Sequence, residues 1–458
     1  MKQPPAVSTP PSWNLLQWIV RPLEFLESCS RRYGDCFTMQ LGGVAQFVVF
    51  SHPEAIEAIL TANPKHFESG RANFILRRTL GDNSLLLLDG ERHRRHRQLL
   101  MPPFHGERMR AYGQLICQIT ENVAQQWVVG QPFVARASMQ EISLRVILQA
   151  VFGLSEGQRY SQLEQLLGTL LDLTSSRFGF ATSFFPVLQR DWGAWSPGGR
   201  FNRLMQQINQ LLYAEIQERR QRFDPSRPDI LTLLLVARDE YGEPMTDEEL
   251  RDELMTLLVA GHETTATALS WALYWIHSLP EVQSKLLAEL ETLGPTPDLA
   301  EITRLPYLNA VCSETLRIYP VAFITELRIT MAPIHVMGYD FRRDSILVPC
   351  IYLAHHRPDT YPQPDQFNPN RFLERQFSAY EFLPFGGSNR RCIGAAFALF
   401  EMKLVLATLL SRYQLKRADS RPVKPVRRGV TIAPKGGVRL VMTERRAASN
   451  QSLGVATV

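Results

Sequence analysis

Thr246-Asp247-Glu248-Glu249 opens an apolar-rich run that continues to about Ser278. A threonine followed three residues later by a glutamate forms a capping box, in which each side chain satisfies a backbone N–H at the start of a helix. Roughly 30 residues at 1.5 Å each make a rod about 45 Å long. A rod of that length crosses the whole molecule, so the rest of the chain has to pack around it. Its middle reads Ala260-Gly261-His262-Glu263-Thr264-Thr265, set between LMTLLV and ALSWALYWI. Polar groups at the centre of the apolar stretch argue against a bilayer span. Gly261 weakens the helix ladder and leaves room for a flat ligand.

Around this rod the chain alternates between helical and strand patterns. CFTMQL and QFVVF, separated by Gly42-Gly43, predict a hairpin, and Ser51 is placed to cap a helix with Pro53 in its first turn. Asp89-Gly90 precedes a basic helix, Glu91 to Met101, stopped by Pro102-Pro103. From Gly106 to about Arg222 the pattern is helical, broken by an aromatic stretch rich in Gly and Pro. DILTLLLVARD, Glu281 to Leu293 and Leu308 to Ile318 are further helices. HVMGYDF and ILVPC read as strands, Ala395 to Arg412 as a clean helix, and Gln414 to about Thr443 as strands. The expected class is mainly α with smaller β sheets. Residues 1–11 and 447–458 read as flexible tails.

With 458 residues, 45% of them hydrophobic and 21% charged, the chain is globular and can bury a large core. A net charge of +5 is too weak a bias for nucleic-acid binding. The six cysteines show no C-x-x-C spacing, which gives no support to a zinc ribbon or a disulfide framework and suits a reducing, cytoplasmic setting. The first apolar stretch, Trp13 to Val20, is too short to span a bilayer and lacks signal-peptide organisation.

The strongest chemical signal is Phe385-Gly386-Gly387-Ser388-Asn389-Arg390-Arg391-Cys392-Ile393-Gly394. A Gly-rich turn presents one cysteine just before a long helix. Free N–H groups and the dipole at a helix N-terminus favour the thiolate. A lone thiolate held this way suits the axial ligand of haem iron. The stretch resembles the haem-binding loop of the cytochrome P450 family, F-x-x-G-x-R-x-C-x-G. Ser388 stands where that family usually has Gly; in a left-handed conformation Ser costs roughly 1 kcal/mol more than Gly.

Other elements of the family pattern occur in order, so the resemblance covers nearly the whole chain as a single domain, 1–458. Glu314-Thr315-Leu316-Arg317 matches E-x-x-R, a carboxylate and a guanidinium on one helix face. Phe367-Asn368-Pro369-Asn370-Arg371-Phe372 resembles F-x-P-x-R-F, and Arg371 is expected to complete a buried structural network with Glu314 and Arg317. The resemblance implies haem b bound through Cys392, with Phe385 in the loop. It also implies that His93, Arg97, Arg328 and Arg390 hold the haem propionates; His93 and Arg97 share a helix face at i, i+4. Arg94, Arg95 and His96 are expected to face outward. On the distal side Thr264 becomes the hydroxyl that holds water beside the bound oxygen, and Glu263 the acid that relays protons. His262 is expected to pack or to meet solvent.

The same resemblance implies a monooxygenase that inserts one oxygen atom from O2 into a lipophilic substrate such as a long-chain fatty acid or a terpene. The expected pocket residues are Phe74, Leu85, Phe180, Val259, Ala260, Val321, Ala322, Ile324 and Thr431. Arg71, Arg77 and Arg78 are candidate anchors for a substrate carboxylate. No reductase follows Cys392, so electrons are expected from a ferredoxin or flavodoxin with its reductase, docking near Lys403, Arg391 and Arg108 on a monomeric chain. The alternatives are a haem-thiolate isomerase or dehydratase of lipid hydroperoxides, a peroxide-driven hydroxylase, and a haem sensor.

Overall fold

The computed structural model describes residues 2–43, 45–104, 108–154, 156–176, 179, 186–193, 195–294 and 297–446. The capping box forms as predicted: Glu249 N–H donates to Thr246 Oγ1 at 3.1 Å and Thr246 N–H to Glu249 Oε2 at 2.9 Å. The helix it starts, Asp247–Ile276, is buried along most of its length. Helix Ala135–Phe152 runs against it, and Ala395–Arg412, Pro306–Ile318 and Pro197–Gln221 pack on other sides. A Cβ at residue 261 would meet Ile147 Cδ1 at 2.9 Å. Gly261 therefore serves the approach of a neighbouring helix, and it also borders the internal cavity beside Cys392, in keeping with the room for a ligand that the sequence suggested.

The main sheet has five strands in the order Cys36–Leu41, Ala45–Phe50, Ile346–Pro349, Arg328–Thr330, Phe67–Glu68. The predicted hairpin is present, with Phe37 opposite Val49. Its second strand pairs parallel with Ile346–Pro349, which in turn sets Arg328 opposite Leu347. A second sheet joins Pro132–Val134, Arg439–Arg445 and Tyr413–Arg417. The hairpin Pro425–Arg428/Thr431–Pro434 lies against the central helix, where Trp271 Nε1 donates to Ile432 O at 2.9 Å. Helix Ala395–Arg412 has the predicted bounds.

Two local readings are corrected. The helix Pro53–Thr61 is capped by His52, whose ring accepts from Glu54 N–H at 3.3 Å. Ser51 instead donates to Asp35 Oδ1 at 2.8 Å. The proline-rich lead-in is not loose: Val7 N–H bonds Thr38 O and Thr38 N–H bonds Pro5 O, both at 2.8 Å. The sheet edge offered unpaired backbone groups, and residues 5–7 satisfy them. Residues 447–458 lie outside the described residues. Among the described residues no helix is long and apolar enough to cross a membrane.

Candidate active site

The cysteine loop is held by its own backbone. Cys392 N–H donates to Phe385 O at 3.0 Å, Gly386 N–H to Leu383 O at 2.9 Å and Arg391 N–H to Ser388 O at 3.1 Å. Ser388 sits at φ 61°, the left-handed conformation that glycine adopts without strain. Helix Ala395–Arg412 begins three residues after Cys392. The Cys392 side chain is surrounded by protein yet exposed to an internal cavity. Burial raises the thiol pKa, while the Gly394 N–H and the charges of Arg97 and Arg391 pull it down. The helix terminus alone was expected to favour the thiolate. Burial outweighs these, and the thiol pKa lies above its ordinary value.

That cavity, about 310 Å³, lies between the cysteine loop and the central helix. Thr264 and Ala260 face it from the helix, Leu85, Val321, Ala322 and Ile324 from the surrounding segments, and Phe385 from the loop. Thr264 Oγ1 donates back to Ala260 O at 2.5 Å. Four expected pocket residues lie elsewhere or outside view. Val259 packs into the core, and Thr431 is buried in its hairpin with Oγ1 on Arg428 O at 3.0 Å. Phe74 is 56% exposed and lines a separate outer pocket. Phe180 lies outside the described residues.

Glu263 is buried beside the cavity, not in its wall. Its carboxylate pairs with Arg136 and accepts from Gln140 Nε2 at 3.1 Å. His262 packs: Nε2 lies 3.0 Å from Gln140 O, and burial pushes its pKa down to about 4.

Of the four groups expected at the propionates, His93, Arg97 and Arg390 line the cavity, while Arg328 is buried near His93 and outside the cavity's wall. Arg97 Nη1 donates to Arg391 O at 2.8 Å, and Arg328 Nη1 to Ser69 Oγ at 2.8 Å. Arg390 meets Leu88 O and Asp89 Oδ1, both at 2.5 Å, and its Nη1 is 3.6 Å from Glu326 Oε2. His93 is held neutral, its pKa lowered to about 3 by burial and then by Arg390, Arg97 and Arg328. Burial brings Arg328 down to about 10. Three guanidiniums thus face two protein carboxylates, and the surplus positive charge suits the propionates of a haem. The sequence reading missed Asp89 and Glu326. Glu326 stands two residues from Arg328, which was the one available signal.

The outward-facing expectation holds for Arg94, which is exposed and pairs with Glu91 and Glu240. It fails for its neighbours. Arg95 pairs with Asp239 at 2.5 Å and Glu249 at 2.9 Å. His96 is buried between Glu253 at 2.7 Å and Glu249 at 3.2 Å. A helix with side chains at i and i+3 on one face puts His96 beside His93, so both turn inward.

The expected network is present and buried. Arg317 Nε and Nη2 donate to Glu314 at 2.6 and 2.8 Å, and Arg371 Nε lies 3.4 Å from Glu314 Oε1. Arg317 also donates to His355 O at 2.8 Å, and Asn368 N–H to Glu314 at 2.8 Å. It ties helix Pro306–Ile318 to the segment that leads into the cysteine loop.

Of the expected docking cations, Lys403 is corrected: it is partly buried and its ammonium donates to Thr303 O at 2.9 Å. Arg391 is exposed, and the Arg108 side chain lies outside the described residues.

The sequence matches the family described as Cytochrome P450 over residues 3–440. The chain belongs to the cytochrome P450 family. It is 37% identical over 437 residues to the inferred cytochrome P450 135B1 of Mycobacterium tuberculosis, covering 95% of this chain and 90% of the relative. The inferred cytochrome P450 138 of the same organism is 33% identical over 450 residues, with 97% of each chain covered. Among solved structures, the retinoic acid-bound cyanobacterial CYP120A1 superposes with a TM-score of 0.84 at 23% identity, over 97% of this chain and 99% of that one. The haem domain of cytochrome P450DA gives 0.84 at 23% identity, over 98% and 99%. The protein is a haem-thiolate monooxygenase that uses O2, a small-molecule substrate and a redox partner, with haem b as cofactor.

The residues fit that cofactor. Among the described residues no three His, Cys, Asp or Glu side chains cluster as a metal site. A lone cysteine cannot hold bare iron, but it completes a metal whose other ligands come from a porphyrin. Cys392 would bind the iron, and His93, Arg97, Arg328 and Arg390 would bind the propionates.

Proposed function

We propose that this cytochrome P450 hydroxylates or epoxidises a lipophilic substrate, a long-chain fatty acid or a terpene, with electrons from a ferredoxin or flavodoxin and its reductase. The carrying observation is the cavity wall: Leu85, Ala260, Val321 and Ile324 give an apolar surface, with the Thr264 hydroxyl set in it. Haem bound through Cys392 supplies oxygen activation, because the thiolate donates electron density that favours O–O cleavage. The chain's own residues orient the substrate and manage protons. Apolar side chains hold hydrocarbon and exclude water. Thr264 Oγ1, bonded to Ala260 O, keeps its lone pairs for a water or a proton donor in the cavity. Glu263 is the acid nearest in sequence to that hydroxyl. It can exchange protons with Thr264 only by turning away from Arg136, and water would complete the route.

Product formed per reductant consumed tests this reading. Thr264→Ala should keep haem, substrate binding and reductant use while the yield of oxygenated lipid falls about tenfold or more and peroxide accumulates. Unchanged coupling would remove Thr264 from the mechanism. A wild-type protein that rearranges lipid hydroperoxides but oxygenates no lipid with O2 would favour the isomerase reading.

A further inference from the structure

Asp89 and Glu326, the two carboxylates beside Arg390, have different surroundings. Asp89 is saturated with donors. It accepts from the Ser69, Gly70 and Arg71 N–H groups at 2.8, 3.0 and 3.2 Å, and from Arg390 Nη2 at 2.5 Å. These bonds tie residues 69–71 to the start of helix Gly90–Leu100 and give the anion a full set of partners. Glu326 has no such shell. It lines the cavity together with His93, Arg97, Arg390 and Cys392, and its Oε2 is buried without a hydrogen-bond partner among the described residues. Arg390 Nη1 stands 3.6 Å from it, beyond hydrogen-bond reach, because that guanidinium is turned to Leu85 O, Leu88 O and Asp89.

The charges around Glu326 leave no place for a further anion once haem is bound. Arg97, Arg328 and Arg390 bring three positive charges. Asp89 balances one, and the two propionates of a haem balance the others. His93, held neutral, adds none. An ionised Glu326 would be a surplus negative charge in a buried cavity, and such a group takes up a proton. Burial pushes the Glu326 carboxyl up; Arg390, Arg328 and Arg97 oppose the rise, and Asp89 adds to it. Cys392, across the same cavity, acts in the same sense as Asp89 once it is ionised. A protonated carboxyl is a donor, and a propionate oxygen is the acceptor that haem brings to this side of the cavity.

We propose that Glu326 holds a proton in the haem-loaded protein, donates it in a hydrogen bond to a propionate, and so sets the potential at which the iron accepts an electron from the redox partner. While the proton stays, reduction adds one electron at iron and leaves Glu326 neutral. Where rising pH has removed the proton, the carboxylate opposes the incoming electron, and reduction takes up one proton with it. This role rests on haem binding and is independent of which substrate is oxygenated.

The test is a redox titration of the haem-loaded protein with mediator dyes, followed by haem absorbance from about pH 6 to about pH 9. At the acid end wild type and Glu326→Gln should have reduction constants equal within about twofold, because an amide replaces a neutral acid. As pH rises the wild-type constant should fall, reaching about a tenth of the Glu326→Gln constant at the alkaline end, the order expected of one unit charge acting through protein. Glu326→Met, of similar volume and without a proton, should lose the same pH dependence, and it serves if the amide variant fails to take up haem. A Glu326→Gln constant already about tenfold above wild type at the acid end would mean an ionised Glu326 paired with Arg390, and overturns the proposal. Parallel curves across the whole range overturn it as well, since Glu326 would then exchange no proton on reduction. Either result leaves the oxygenation reading intact, which the product yield per reductant tests separately.

Discussion

Glu314→Ala removes one carboxylate and strands two guanidiniums. Glu314 and Arg317 side chains are both 0% exposed, and Arg371 is 10% exposed. In the variant Arg317 keeps only carbonyl partners, His355 O at 2.8 Å and Gln366 O at 3.2 Å. Arg371 keeps Pro362 O and Gln363 O. The Asn368 N–H loses its acceptor outright. An uncompensated buried charge costs about 3–5 kcal/mol, and an orphaned buried N–H about 1–3 kcal/mol, not fully additive. A loss of ~4 kcal/mol is about a quarter or more of a typical stability of about 5–15 kcal/mol. Urea unfolding of the haem-loaded protein, followed by far-UV circular dichroism and by the Soret band, measures it. The double variant Glu314→Leu/Arg317→Met gives the sharper contrast. It removes both charges and fills similar volume, so it should be more stable than Glu314→Ala although it carries more changes. A loss under about 1 kcal/mol in Glu314→Ala, or a double variant as weak as the single, would refute the buried-charge argument.

Ser388→Gly relieves a non-glycine residue at φ 61° and should raise stability by up to about 1 kcal/mol, read as a shift of the urea midpoint; a loss would show that the serine hydroxyl has a compensating role. Burial raises the Glu401 pKa to about 8, so the folded protein holds a proton that the unfolded chain releases above its ordinary value near 4.5. Stability from this group is full below about pH 4.5 and falls as pH rises toward 8; Glu401→Gln should flatten that slope in unfolding measured from pH 5 to 8, and an unaltered slope would contradict it. Burial lowers His262 and His277 to about 4, which predicts the opposite trend on the acid side: stability present above about pH 6.5 and lost as pH falls toward 4. His277→Gln should lessen that acid loss, seen in the same unfolding series.

What could be read from sequence was what is local. The capping box at Thr246 and Glu249, the pairing of Glu314 with Arg317, and the step from Cys392 into helix Ala395–Arg412 each need only a few consecutive residues. The Cys36–Phe50 hairpin is legible for the same reason. His52, not Ser51, caps the next helix because Asp35 competes for the serine hydroxyl across 16 residues. His96 turned inward because two glutamates of the central helix, more than 150 residues on, give its buried ring a partner on each side. Periodicity within a basic helix carries no trace of those acids.

Glu263 shows why this limit matters for mechanism. Its position beside Thr264 in an apolar helix correctly marks it as unusual, since a buried carboxylate needs a partner. The sequence suggested that water and a proton route supply the compensation. In the fold Arg136, 127 residues earlier, and Gln140 supply it instead. The ion pair holds the carboxylate on Arg136, whereas a proton relay needs it to reach toward Thr264. Both can hold only if the carboxylate has two positions, one on Arg136 and one toward Thr264. The Arg136 contact is thus the resting state from which any proton delivery by Glu263 begins. Breaking it with Arg136→Gln should alter the solvent isotope effect on turnover, a response that Glu263 acting solely as a structural partner would not give.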